Sequence, residues 1–345
     1  MFDYEEYYKD LEKQYVRIDL HRFDNKNILV TGSCGLICSY LIDLLMYANN
    51  KHDANIKVYA LSRSKDKLEN RFDKYIDNDK FIPIIQDVCE PIKIDKVDYI
   101  IHGASNATPK LYIEKPVDTM NANYLGMLNI MNLAKENKSK VLYISSGDVY
   151  GERNNNNEPL TEKDYAYIDI LNVRASYASS KRATETLCIS YKEQYGMNVS
   201  IVRPAHIYGP TFTLSDTRAI SDFMRNVLED RDIIMKSDGS SIRSYCYVGD
   251  AVIGILLVML DGENGEAYNI SNANSFVSIK EVANIICKKY NKKLIIELPK
   301  DYLGKKIDNN NKVISMSNQK LMKLGWSPLY GINEGLETSL NIRKK

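Results

Sequence analysis

Val30-Thr31-Gly32-Ser33-Cys34-Gly35-Leu36-Ile37-Cys38 joins an apolar run, Asn27-Ile28-Leu29-Val30, to a stretch with helical spacing from Leu36 to Tyr47. A glycine loop between a buried-type strand and a helix has a specific use. Glycine permits the tight turn and lets a pyrophosphate approach the backbone, while the helix start offers unpaired N–H donors and the positive end of a dipole. Gly32, Cys34, Gly35 and Leu36 are therefore candidate phosphate-binding residues. The spacing is Gly-x-x-Gly-x-x-Cys, with Cys38 at the third position, where glycine usually allows close helix packing. Cysteine is small enough for that contact to survive with a slight shift.

Outward from the loop, residues 56–61, 81–85, 98–102, 141–144 and 199–202 read as strands. Helical patterns lie between them, from about Asp66, over 116–137 and over 177–195. Short apolar strands separated by helices predict an α/β fold, a Rossmann-type doubly wound parallel sheet covered on both faces. After about residue 205 the regularity breaks at Pro204, Gly209-Pro210 and the polar stretch 211–216, followed by a helix over 218–229 and a strand over 233–236. Ser278-Ile279-Lys280-Glu281 reads as a capping box opening a helix that runs to about Tyr290. The expected organisation is a helical extension over 1–25, an NAD(P)-binding Rossmann domain over 26–205 and a smaller mixed C-terminal substrate lobe over 206–345, the chain partly interleaved. Within the extension, residues 4–15 read as a charged helix; 154–157 and 308–311 read as solvated polar loops.

The bulk numbers bound the function. With 345 residues, 44% hydrophobic and 26% charged, the chain is long enough for a large α/β unit with a second lobe. A net charge of +1 gives no electrostatic case for nucleic acid or an anionic membrane. Six dispersed cysteines without a Cys-x-x-Cys pair and four scattered histidines give no metal site. The N-terminus lacks a signal-peptide pattern, and the longest apolar run, 251–260, is short of a membrane span. A cytoplasmic location with reduced thiols is expected.

A carboxylate ending the second strand would read an adenosine 2′-hydroxyl. Here the sequence is Leu61-Ser62-Arg63-Ser64, and Ser62 with Arg63 could accommodate a 2′-phosphate, which favours NADP over NAD. Arginine could equally stack on adenine. Asp87-Val88 and Gly103-Ala104-Ser105 follow the third and fourth strands, where the adenine and the pyrophosphate–ribose edge would lie. Tyr177 and Lys181, four apart in a helical pattern, share one helix face. An ammonium beside a phenol favours the phenolate, which suits proton transfer near neutral pH. Alone this spacing is a weak signal in a chain with 25 tyrosines.

The glycine loop, Tyr177–Lys181 and a set of further motifs together resemble the extended short-chain dehydrogenase/reductases, and more narrowly the nucleotide-sugar NAD-dependent epimerase/dehydratase group. The motifs are Ile101-His102-Gly103-Ala104-Ser105, Ser145-Ser146-Gly147-Asp148-Val149-Tyr150-Gly151, Arg203-Pro204-Ala205-His206-Ile207-Tyr208-Gly209-Pro210, Arg243-Ser244-Tyr245-Cys246-Tyr247-Val248-Gly249-Asp250 and Gly325-Trp326-Ser327-Pro328. Residues 172–177 and 215–218 look closest to the UDP-glucuronate decarboxylase branch. The resemblance spans 27 to about 340. It implies a nucleotide-diphosphate sugar as substrate, oxidised or reduced at C4, and a homodimer through 116–137 and 177–195. Tyr177 would be the acid/base, Lys181 would lower its pKa and bond the nicotinamide ribose, Ser146 would bond the same sugar oxygen, and Pro204 would lie beside the nicotinamide. Arg218 and Arg243 would grip the diphosphate, and Asn123 would be a structural or substrate-side polar group.

Two departures bear on the reaction. Dehydratases of this group carry Asp-Glu after the serine or threonine and decarboxylases Ser-Glu, whereas this chain has Gly147-Asp148. Gly147 cannot act as an acid, and Asp148 keeps a shorter carboxylate as a candidate base. His206 stands where asparagine is usual before Tyr-Gly-Pro. The expected activity is a 4-epimerase or 4-ketoreductase serving polysaccharide precursor synthesis, with a decarboxylase or 4,6-dehydratase as the alternative. A catalytically silent nucleotide-binding protein is the alternative of another class, and intact Tyr177, Lys181 and Ser146 argue against it.

Overall fold

The structure is a computed structural model that describes residues 2–152, 158–298 and 315–343. The polar stretches 154–157 and 308–311 lie outside the described residues. Six strands, β1 (Asn27–Thr31), β2 (Lys57–Ser62), β3 (Phe81–Ile85), β4 (Tyr99–His102), β5 (Lys140–Ile144) and β6 (Val199–Pro204), pair in the spatial order β6-β5-β4-β1-β2-β3. Every pairing is parallel. β7 (His206–Tyr208), β8 (Ile233–Met235) and β9 (Ile242–Tyr247) leave this sheet, and β10 (Ala267–Ile270) returns to it as a seventh parallel strand beside β6. Edge strand β3 carries Pro83 in mid-strand, which is tolerated because β3 pairs only with β2.

Helices bury both faces, so the strands read as continuous apolar runs rather than as alternating ones. Ile28 and Val30 face one core with α2 (Leu36–His52) and α8 (Val248–Asp261); Leu29 faces the other with α5 (Pro116–Asn137) and α6 (Ala175–Tyr195). The apolar run at 251–260 is thus a buried packing helix, and no helix among the described residues is long and apolar enough to cross a membrane.

The lobe is built from a three-stranded sheet in which central β9 pairs parallel with β7 and antiparallel with β11 (Phe276–Ser278). A two-stranded parallel sheet joins β8 to β12 (Leu294–Ile296). α7 (Ala219–Leu228) packs on α9 (Ile279–Tyr290), whose capping box has both halves formed by Ser278 and Glu281. The short strands β7 and β9 to β12 have no periodic sequence signal, because each is only three to six residues long and held by its neighbours.

α1 (Tyr4–Tyr15) is capped by Asp3, whose carboxylate accepts from Glu5 N at 3.1 Å and Glu6 N at 3.3 Å. Its Asp10 is buried and accepts from the hydroxyls of Tyr40 and Tyr247 at 2.7 Å and of Tyr330 at 2.8 Å. Three donors compensate the desolvated carboxylate and tie the N-terminal helix to α2, β9 and the C-terminal segment before α11 (Ile332–Arg343).

Candidate active site

The cofactor side forms at the C-terminal ends of β1, β2 and β4. Gly32 has φ of +69°, and a Cβ there would sit 2.7 Å from Gly103 O, so both the turn and the close loop-to-loop contact require glycine. Thr31 Oγ1 accepts from the backbone N–H groups of Gly103 and Ala104, each at 3.2 Å, and bonds His102 Nδ1 at 2.8 Å. Gly35 is the N-cap of α2 and supplies no side-chain cap, leaving the first turn of a 17-residue helix with its donors unshared by a cap. The hydroxyls of Ser105 and Ser145, at the ends of β4 and β5, are buried without a protein partner. A glycine cradle, an uncapped helix start and two orphaned hydroxyls along one sheet edge fit a dinucleotide, and Gly32, Cys34, Gly35, Leu36, Gly103, Ala104 and Ser105 are the candidates to hold it.

Cys38 is accommodated by a partner that the loop spacing does not show. It is buried, and a Cβ on Gly103 would run into its sulfur. Glycine is thus displaced from residue 38 to residue 103, across the contact. Gly103→Ala is expected to lose about 1–3 kcal/mol of stability by overpacking. Adding Cys38→Gly should recover it; urea melts of the single and double variants check this, and no recovery would break the pairing.

At the adenine end, Arg63 Nη1 lies 3.8 Å from Asp87 Oδ2, and Arg63 Nη2 donates to Asn106 Oδ1 at 3.3 Å. Asp87 Oδ1 accepts from Cys89 N at 2.9 Å. Ser62 Oγ accepts from Cys34 Sγ at 3.6 Å. Val88 is buried against Gly126 of α5, and its carbonyl accepts from Asn129 Nδ2 at 3.0 Å.

The chemical centre lies where β5 and α6 meet. Tyr177 is buried and hydrogen-bonded to Ser146. Lys181 Nζ donates to Ile144 O at 2.8 Å and stands 5.7 Å from the Tyr177 ring centroid. Burial dominates both groups. It holds the Tyr177 phenol above its usual range, with Asp148 adding to the rise, and pushes the Lys181 ammonium down to about 7. Burial, invisible in a four-residue spacing, comes first among the influences on Tyr177.

Around this pair the structure gathers residues scattered over the sequence. Asp148 exerts its charge on both Tyr177 and Arg243. Arg218 acts on Tyr177 and, with Arg243, on His206, whose imidazole is pushed down to about 3, first by burial. His206 Nδ1 is buried without a partner. Arg218 is already bound to Asp216, through Nε at 3.0 Å and Nη2 at 2.6 Å, and to Ile207 O at 3.1 Å, so it enters the site as an ion pair. Asn123 is wholly buried and donates to Ser180 Oγ at 2.8 Å, which in turn donates to Tyr177 O at 3.0 Å. That geometry makes Asn123 a link between α5 and α6, while its Oδ1 is buried without a protein partner.

A family model described as NAD dependent epimerase/dehydratase family matches residues 28–271. The chain belongs to that family. It is 33% identical over 315 residues to UDP-glucuronic acid decarboxylase 6 of Arabidopsis thaliana, covering 90% of this chain and 87% of the relative. It is 29% identical to UDP-glucuronic acid decarboxylase 1 of Xenopus tropicalis, covering 93% and 73%. The fold matches UDP-glucuronic acid 4-epimerase from Bacillus cereus, in complex with UDP-glucuronic acid and NAD, with a TM-score of 0.76, 22% identity and coverage of 92% and 99%.

Within this epimerase/dehydratase chain, the position that departs from the group is covered from an unexpected place. A Cβ on Gly147 would sit 2.8 Å from Met316 Sδ and 3.5 Å from Pro204 O. Met316 is buried and bridges to Leu160, so a C-terminal segment roofs the turn after β5. Tyr112 is the other residue that sequence reasoning missed: its ring stacks on Tyr177. Neither carried a usable signal, since both reach the site through contacts across the fold.

Proposed function

We propose that this family member is an NAD-retaining enzyme that removes the C6 carboxyl of a nucleoside-diphosphate uronic acid by way of a 4-keto sugar. The observation that carries the reading is the meeting of Tyr177, Ser146 and Asp148 with Arg218, Arg243 and His206 at one end of the sheet. The decarboxylase relatives support the acidic sugar. When bound, NAD supplies the hydride acceptor for C4 and returns that hydride at the end of the cycle.

Tyr177 takes the C4 hydroxyl proton, with Ser146 bonded to the same oxygen. The product is a β-keto acid, and its C5–C6 bond breaks without a further side chain: CO2 leaves, and the electron pair passes to the C4 oxygen as an enolate. Protonated Tyr177 and Ser146 donate to that oxygen. C5 then takes up a proton that comes from solvent, with the Asp148 carboxylate as the candidate group to relay it, and Tyr177 returns its proton to the C4 oxygen as the hydride comes back to C4. Dehydration would need an acid at position 147, and glycine has none. Decarboxylation asks least of the residues present, which moves the reading away from the ketoreductase and epimerase suggested by sequence. Arg243 and His206, with the lobe sheet behind them, would hold the diphosphate.

NAD is favoured over NADP because Arg63 faces the Asp87 carboxylate, which opposes a 2′-phosphate; this leaves Arg63 to stack on adenine. Incubation with UDP-glucuronate and catalytic NAD should yield a UDP-pentose and CO2, read by mass spectrometry, without net NADH formation. An unchanged mass with a new stereoisomer would make it a 4-epimerase. Stoichiometric NADPH consumption with a 4-keto sugar would make it a ketoreductase and overturn both the reaction and the cofactor reading.

A further inference from the structure

Tyr112, in the short helix α4 (Pro109–Glu114), lies flat against Tyr177, with ring centroids 5.4 Å apart and planes inclined by 16°. Two contacts hold it there. Ser176 Oγ donates to the Tyr112 carbonyl oxygen at 3.2 Å, and the Arg174 guanidinium is hydrogen-bonded to the Tyr112 phenol. Arg174 is the N-cap of α6 and Ser176 is in its first turn, so both anchors flank Tyr177 on its own helix. We propose that Tyr112 is a positioning residue for Tyr177, fixing its ring in the plane of the stack and keeping water from one face. This rests on Tyr177 being the acid/base of the proposed reaction.

The groups that face Tyr177 are Tyr143 of β5, Ser146 and Asp148 from the turn after β5, Arg218 from before α7, Lys181 from its own helix, and Tyr112. Ser146 and Arg218 favour the phenolate; Asp148 and Tyr112 oppose it. Burial is the largest influence on Tyr177, and a stacked ring contributes to it directly by covering one face. Removing the ring admits water, which stabilises the phenolate and moves the titration to lower pH. α4 contributes no buried side chain, so truncating Tyr112 does not open the core.

The test compares pH profiles of kcat/KM for UDP-glucuronate. In Tyr112→Ala the rising limb should move to lower pH by about one unit, and kcat should fall about tenfold as the phenol loses its fixed direction. Tyr112→Phe keeps the stack and should restore the limb and bring kcat within about threefold. An unmoved limb in Tyr112→Ala, whatever its kcat, overturns the proposal, because a merely structural role lowers the rate without shifting the profile. A parallel Tyr177→Phe separates the two readings. If that variant turns over normally, the acid/base assignment is what fails; if it is inactive and the limb stays fixed, only the positioning role fails.

Discussion

Tyr177→Phe is expected to lower kcat by about 10^2- to 10^4-fold while the dissociation constant for NADH stays within about twofold. Phenylalanine keeps the ring and its stack on Tyr112, so the change removes little besides the hydroxyl bonded to Ser146. The groups bonded nearest that oxygen do not replace it: Ser146 is too weak a base, and Lys181 is engaged with Ile144 O. Burial makes the phenolate costly here, so Tyr177 has to give up its own proton before it can accept that of the C4 hydroxyl. Steady-state turnover and NADH fluorescence titration check the two halves separately. Turnover within about threefold of the unaltered protein would remove Tyr177 from the mechanism.

The second large effect is on stability. Arg203, at the end of β6, is almost wholly buried and donates to Glu185 of α6 through Nε at 3.0 Å and Nη2 at 2.6 Å. It also donates to Tyr150 OH at 3.1 Å and Glu162 O at 2.9 Å, bracing the turn that carries Ser146 and Asp148. Glu185→Ala leaves a buried guanidinium without its carboxylate and is expected to cost about 3–5 kcal/mol in urea unfolding. Replacing both partners, Glu185→Leu with Arg203→Met, should recover much of that, since apolar pairs of similar volume need no compensation. A loss below about 1 kcal/mol for the single variant would mean that the pair is solvated and contributes little.

Much of this was legible in the sequence for local reasons. The strand over 81–85 and the helices over 4–15 and 116–137 matched their patterns to the residue, because side-chain periodicity follows directly from backbone geometry. The glycine loop and the Tyr177–Lys181 spacing were readable in the same way. Arg63 and Arg218 show where such reading stops. Arg63 was open between a 2′-phosphate and adenine, and Arg218 was given to a diphosphate by resemblance alone; the carboxylates of Asp87 and Asp216 that face them were not readable. Tyr112 and Met316 were unreadable, since a tyrosine among 25 and a lone methionine acquire meaning only from what they touch.

By itself the sequence determined the parallel sheet, the glycine loop at the end of its first strand, and the Tyr177–Lys181 spacing on which the proposed proton transfer rests. Those depend on spacing along the chain, which no tertiary contact alters. Only the tertiary structure decided how these groups are placed: that burial raises Tyr177, that Gly103 makes room for Cys38, and that Met316 closes over Gly147. The physical reason is that a group's charge state and available space depend on how much water reaches it and which distant atoms surround it, and folding sets both.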